Sequence, residues 1–136
     1  MKITASVQSS KDGHSVVVAT GDSKTSIDIK PKENGRGSSI NGGELLFLSL
    51  ATCYCNDIFR EAESMNMAVH TLEVMVNGEF GDRGQPATNV SFDVKISADA
   101  SANKINELLN LTDTVAEIQN TLRVGVPVKL RQTEIL

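Results

Sequence analysis

The chain reads as an α+β domain with element order βββ–α–ββ–αα–β. Three observations predict it. Apolar residues alternate with polar ones in several separate stretches, two longer stretches carry helical spacing, and Gly-, Asp- and Pro-containing clusters divide them. Strands grouped before and between the helices, not alternating with them one by one, favour antiparallel hairpins over a parallel sheet. A length of 136 residues sets one domain, spanning 1–136, as the expectation. It also allows a sizeable core without a covalent staple.

Ile3, Ala5 and Val7 alternate with Lys2, Thr4 and Ser6, which gives a first strand over residues 1–9. Lys11-Asp12-Gly13 is a turn signal, with Gly13 free to take positive φ. HSVVVAT (14–20) and KTSIDIK (24–30) follow as second and third strands around a turn at 21–23, making an antiparallel meander. PKENGRGSSINGG (31–43) holds four Gly and one Pro among polar residues, a loop long enough to suspect a functional role. A helix is expected from about Gly43 to Met65.

HTLEVMVNGEF places Leu72, Val74 and Val76 in register, and TNVSFDVKISA does the same with Val90, Phe92, Val94 and Ile96. They form a strand pair joined by GDRGQP. Ile105, Leu108, Leu109, Val115, Ile118 and Leu122 then recur with helical period. Asp99 or Ser101 is placed to cap the start and Gly125 to end it. Thr112, Asp113 and Thr114 interrupt the run, so two helices are expected, with a last strand from about Val126.

Composition narrows the function. Net charge is −4 and no basic run occurs, which argues against nucleic acid or an anionic membrane as partner. The longest apolar run, Leu45–Ala51, falls far short of the roughly 20 residues that span a bilayer. MKITASVQSSKDGHS has no signal-peptide core. Together with a count of only two Cys, this leads us to expect a reducing cytoplasm.

Both cysteines fall inside the long helix. A helix turns about 100° per residue, so Cys53 and Cys55 point about 200° apart and cannot bond to each other. Cys55 shares its direction with Leu48, Ala51, Thr52, Ile58, Phe59 and Ala62, read as the core face. Cys53 shares its direction with Leu46, Ser49, Leu50, Asn56, Asp57 and Arg60, a mixed face suited to a semi-buried cleft wall. Cys55 is therefore read as a packed thiol and Cys53 as the reactive one. A reactive thiolate needs positive potential. Arg60, Arg36 and Arg123 are the candidates to supply it, whereas Asp57 opposes it. A metal site is not expected, since helical geometry splits the two sulfurs and no further Cys/His cluster completes four ligands. No cofactor is implied.

GGELLFLSLATC followed by Asn56-Asp57-Ile58 resembles the central-helix motif of the OsmC/Ohr family, with Cys53 nine residues after Glu44. AEIQNTLRVGVPVKL resembles the family's second motif, Cys-x-x-x-Asn-Thr-Leu, and the element order matches along the whole chain. The resemblance implies an intertwined homodimer with the long helices at its centre. It also implies peroxidase chemistry in which one cysteine attacks a hydroperoxide and a second resolves the sulfenic acid, after which a dithiol reductant reopens the disulfide. Here Ala116 stands where the second cysteine belongs, and Gly43 stands where the activating Glu belongs. Residues 1–35 contain no Arg to match the activating one. The expected site is therefore Cys53 as nucleophile, Arg60 beside it and Glu44 at the helix start. Two readings follow: one-cysteine reduction of organic hydroperoxides with an external thiol reductant, or a non-catalytic module that binds a small apolar or acyl ligand in the dimer cleft. A purely structural partner protein is the third reading.

Overall fold

A computed structural model describes residues 1–33 and 36–136. The chain forms two compact units, Met1–Leu45 and Leu46–Leu136.

In the N-terminal unit, β1 (Ile3–Ser10), β2 (Gly13–Thr20) and β3 (Ser23–Ser26) form an antiparallel sheet in that order. The register runs from Ile3↔Thr20 to Ser10↔Gly13. The first turn falls on Lys11-Asp12, and Gly13 is already the first residue of β2, paired with Ser10. Gly13 therefore does not take the positive φ expected of it; the second turn uses one instead, at Gly21 (57°). β3 is shorter than the pattern suggests. The Ile27 N–H still donates to the Val16 carbonyl, after which the chain leaves the ladder, and Ile29 joins Val16 and Ala19 as the buried apolar residues of this unit. All of β1 stays exposed.

α1 (Gly42–Ser64) begins at the end of this unit and runs on into the second. It ends where Asn66 turns left-handed (φ 52°) and the Met67 N–H reaches back to the Ala62 carbonyl. β4 (Val69–Phe80) and β5 (Ala87–Ala98) form an antiparallel hairpin. Leu72↔Ile96, Val74↔Val94 and Val76↔Phe92 pair as the alternation predicts, and all of these but Val76 pack against the core. A bulge opposite Gly78, with Asn89 at φ 54°, turns Val90 out of that pattern. Gly78 has a steric reason to lack a side chain, because a Cβ there would lie 2.5 Å from the Phe47 ring.

α2 (Ala102–Val115) and α3 (Glu117–Val124) close this unit. Ser101 caps α2, its Oγ accepting from the Lys104 N–H, and Gly125 ends α3 in the left-handed region. The break falls at Ala116, whose ψ of 100° is not helical, and not at 112–114. Thr112 stays helical because its hydroxyl donates back to the Leu108 carbonyl, which hides its polarity inside the turn. The core is Tyr54, Ile58, Ala62, Met67, Leu108 and Ala116.

Two further expectations need correction. On α1 the buried stripe is Leu50, Tyr54, Asp57, Ile58 and Ala62, lying between the two predicted faces. Leu48 and Phe59, assigned to the core face, are 59% and 50% exposed. The single hairpin and α2 cover only one stripe of the helix. The last strand is not formed, and residues 126–136 carry no regular structure. Val128 and Leu130 alternate as a strand would, yet both are almost fully exposed. A strand needs a ladder partner for its backbone, and the described residues present none to that segment. Among the described residues, no helix is long and apolar enough to cross a membrane.

Candidate thiol site

Cys53 lies in the middle of α1, half-buried and packed against the core. Its sulfur is 3.7 Å from Asp57 Oδ2, one turn further along the same helix, and 4.0 Å from Glu117 Oε2 at the start of α3. The Ile118 backbone N–H, in the first turn of α3, also donates to it. The break at Ala116 makes this meeting possible, because a continuous α2–α3 helix would tie up those amides internally. Burial pushes the thiol pKa above its ordinary value. The Ile118 amide pulls it down, and the Asp57 and Glu117 carboxylates raise it. The net effect is upward, so Cys53 rests as a neutral thiol.

Asp57 is the most constrained charge at the site, only 4% exposed. Arg60 Nη1 pairs with its Oδ1 at 2.9 Å. Burial raises its pKa, Arg60 lowers it, and Glu117 raises it again; the outcome is upward. The guanidinium reaches the sulfur only through Asp57, and it also bonds Glu61 at 3.1 Å. Arg123, another candidate, is engaged with the Asp113 carboxylate at 2.7 Å and with Asn120. Arg36 belongs to the N-terminal unit. Glu44 sits in the first turn of α1 in a reciprocal cap: its Oε2 accepts from the Asn41 N–H at 2.8 Å, and the Asn41 Oδ1 accepts from the Glu44 N–H at 2.9 Å. Ala116 is fully buried in the core, and Cys55 is a free thiol. His70 pairs with Asp99, and Ser49 bonds the Leu46 carbonyl.

An apolar cavity of about 610 Å³ opens beside the same helix face. Leu50 and Leu46 line it, one and two turns before Cys53, together with Phe80, Phe92 and Leu122. Gln119 also lines it. This side chain is buried, its amide N–H donates to the Leu50 carbonyl at 2.9 Å, and its Oε1 has no partner among the described residues. Sequence reasoning missed Glu117, Ile118 and Gln119. The signal was the break itself: placed two residues later, it puts an acid and free amides at a new helix start.

The family model described as OsmC-like protein matches residues 35–131, and the chain belongs to that family. No curated protein matches it. Among solved structures it is similar to an OsmC-like protein from Mycoplasma pneumoniae, at 21% identity over 92% of this chain and 87% of the other, with a TM-score of 0.63. An OsmC-like hydroperoxide resistance protein from Jannaschia matches at 12% identity, covering 97% and 90%, with a TM-score of 0.59. An organic hydroperoxide resistance protein from Legionella pneumophila matches at 19%, covering 95% and 94%, with a TM-score of 0.54. At these identities the likeness establishes a shared fold.

Proposed function

We propose that this is a stress-response thiol protein that reduces organic hydroperoxides through Cys53 alone. Family membership supports a peroxide-related role in general terms. The observation that carries the specific reading is the Cys53–Asp57–Arg60 chain, in which the thiol faces a carboxylate that the guanidinium holds in place. Asp57 takes the thiol proton. The thiolate attacks the distal peroxide oxygen, the O–O bond breaks, and the departing alkoxide takes the proton back from Asp57. The products are Cys53 sulfenic acid and an alcohol. Two equivalents of an external thiol then return Cys53 to the thiol, releasing water and a disulfide of the reductant. No resolving cysteine is needed, in keeping with Ala116. The raised pKa of Asp57 suits a group that must hold a proton briefly.

The protein works as a homodimer in this reading. Supporting it are the exposed apolar residues Leu48 and Phe59 on α1, Ile3 and Val7 on β1, and the unpaired segment from Val126.

A second reading, a non-catalytic module for a small apolar ligand, is favoured by the apolar cavity and by the neutral state of Cys53. Cumene hydroperoxide separates the two. Sulfenic acid is trapped with dimedone and located by mass spectrometry, with Cys53→Ser and Asp57→Asn alongside. The peroxidase reading expects stoichiometric adduct at Cys53, formed faster than on a free thiol and slowed in Asp57→Asn. Oxidation no faster than a free thiol's ends that reading and leaves the binding module.

A further inference from the structure

The N-terminal unit holds a second cavity, of about 500 Å³, between the β1–β2 turn and the loop after β3. Its chemistry is the reverse of the thiol site. Lys11 and Arg36 line it against a single carboxylate, Asp12, in a chain whose net charge is −4. Among the described residues neither cation is in an ion pair, so both charges are available to a ligand. The lining hydroxyls point to the same conclusion. Ser9 Oγ accepts from the Gly37 N–H at 3.1 Å and Ser10 Oγ from the Asp12 N–H at 3.3 Å. With their oxygens used as acceptors, both hydroxyl protons remain to be donated. His14 Nε2 lies 3.0 Å from Ser38 Oγ, and its buried Nδ1 has no partner among the described residues.

We propose that this cavity binds the phosphate group of a small phosphate monoester. Two unpaired cations and two uncommitted hydroxyls supply more donors than the roughly four acceptor sites of one carboxylate can use. Three phosphoryl oxygens match them better. The guanidinium of Arg36 grips two of those oxygens in its fork, and Lys11 adds a point charge. The volume exceeds what a bare phosphate needs and leaves room for the ester's organic part. The site is independent of Cys53, so the peroxidase reading can fail without touching it.

The test follows backbone amide NMR shifts of the full-length protein during titration with glycerol 3-phosphate, inorganic phosphate, and sodium chloride at matched ionic strength. Expected are saturable shifts at Ser9–His14 and Gly37 with the ester, at least as tight as with inorganic phosphate, and none with chloride. Arg36→Gln and Lys11→Gln each weaken ester binding by about tenfold or more, the loss of one charge-assisted contact. Lys24→Gln, on exposed β3 outside the lining, leaves it unchanged. Shifts that do not saturate, that chloride reproduces, or that Lys24→Gln weakens as much as Arg36→Gln overturn the proposal. Binding of inorganic phosphate but not the ester overturns it as well.

Discussion

The two units differ in how deeply they bury apolar side chains and in what they do with charge. The C-terminal unit lays a hairpin and two helices against α1, and its core residues Ile58, Leu108 and Ala116 lose all contact with solvent. The N-terminal unit is one three-stranded sheet. Its buried apolar residues are Val16, Ala19 and Ile29, all slightly open, and Ile3 and Val7 of β1 face out. Charge is divided too: the C-terminal unit places two carboxylates against its thiol, and the N-terminal unit leaves two cations unpaired around a cavity. Alternation thus fixes which residues share a face, while depth depends on whether another element covers that face.

The largest effect tests that difference with one chemistry at two sites. Ile58→Ala removes a side chain with no exposure and leaves a cavity that its neighbours cannot fill. The loss should approach about 4 kcal/mol, the upper part of the range for such truncations. Ile29→Ala, in the thinner unit, should cost about 2 kcal/mol, because solvent and nearby side chains relax into the gap. Urea denaturation measures both. Equal losses would mean that the N-terminal unit is as tightly packed as the other.

The same contrast explains what was legible in the sequence. Leu72, Val74 and Val76 against Phe92, Val94 and Ile96 were readable because a half-covered strand has period two and a single buried face. Ser101 and Gly125 were readable because caps are local chemistry. The buried stripe of α1 was not, since apolar residues surround much of that helix and only its neighbours decide which of them are covered. Neither was the last strand, which needs an edge that residues 126–136 do not find among the described residues. Polar company for Cys53 was readable from its helix face, but the character of that company was only half visible. Asp57 is on the same helix, whereas Glu117 arrives from α3, 64 residues later.

A smaller effect probes the thiol. Because burial, Asp57 and Glu117 hold the Cys53 pKa above its ordinary value, the thiolate fraction should keep rising about tenfold per pH unit through neutral and mildly alkaline pH. Alkylation of Cys53 by iodoacetamide, read by mass spectrometry, should follow that slope. Glu117→Gln removes one raising charge and should quicken alkylation at fixed pH by roughly threefold. A rate that levels off near neutral pH, or one that Glu117→Gln slows, would reveal a thiolate stabilised by some cation and reverse the contrast between the units.

The smallest effect concerns Glu44, which stands between structure and chemistry. Its carboxylate and Asn41 cap α1 reciprocally at 2.8 and 2.9 Å, whereas Ser101 caps α2 with one longer bond of 3.3 Å. Asn41→Ala should therefore cost about 1 kcal/mol and Ser101→Ala about half as much. Glu44→Gln keeps an oxygen that can accept from the Asn41 N–H, so its stability should fall by no more than a few tenths of a kcal/mol. That variant isolates the charge from the cap. If Glu44 serves only the helix start, Cys53 oxidation by cumene hydroperoxide is unchanged in Glu44→Gln. If its charge takes part in the chemistry, the rate drops while the denaturation midpoint stays in place.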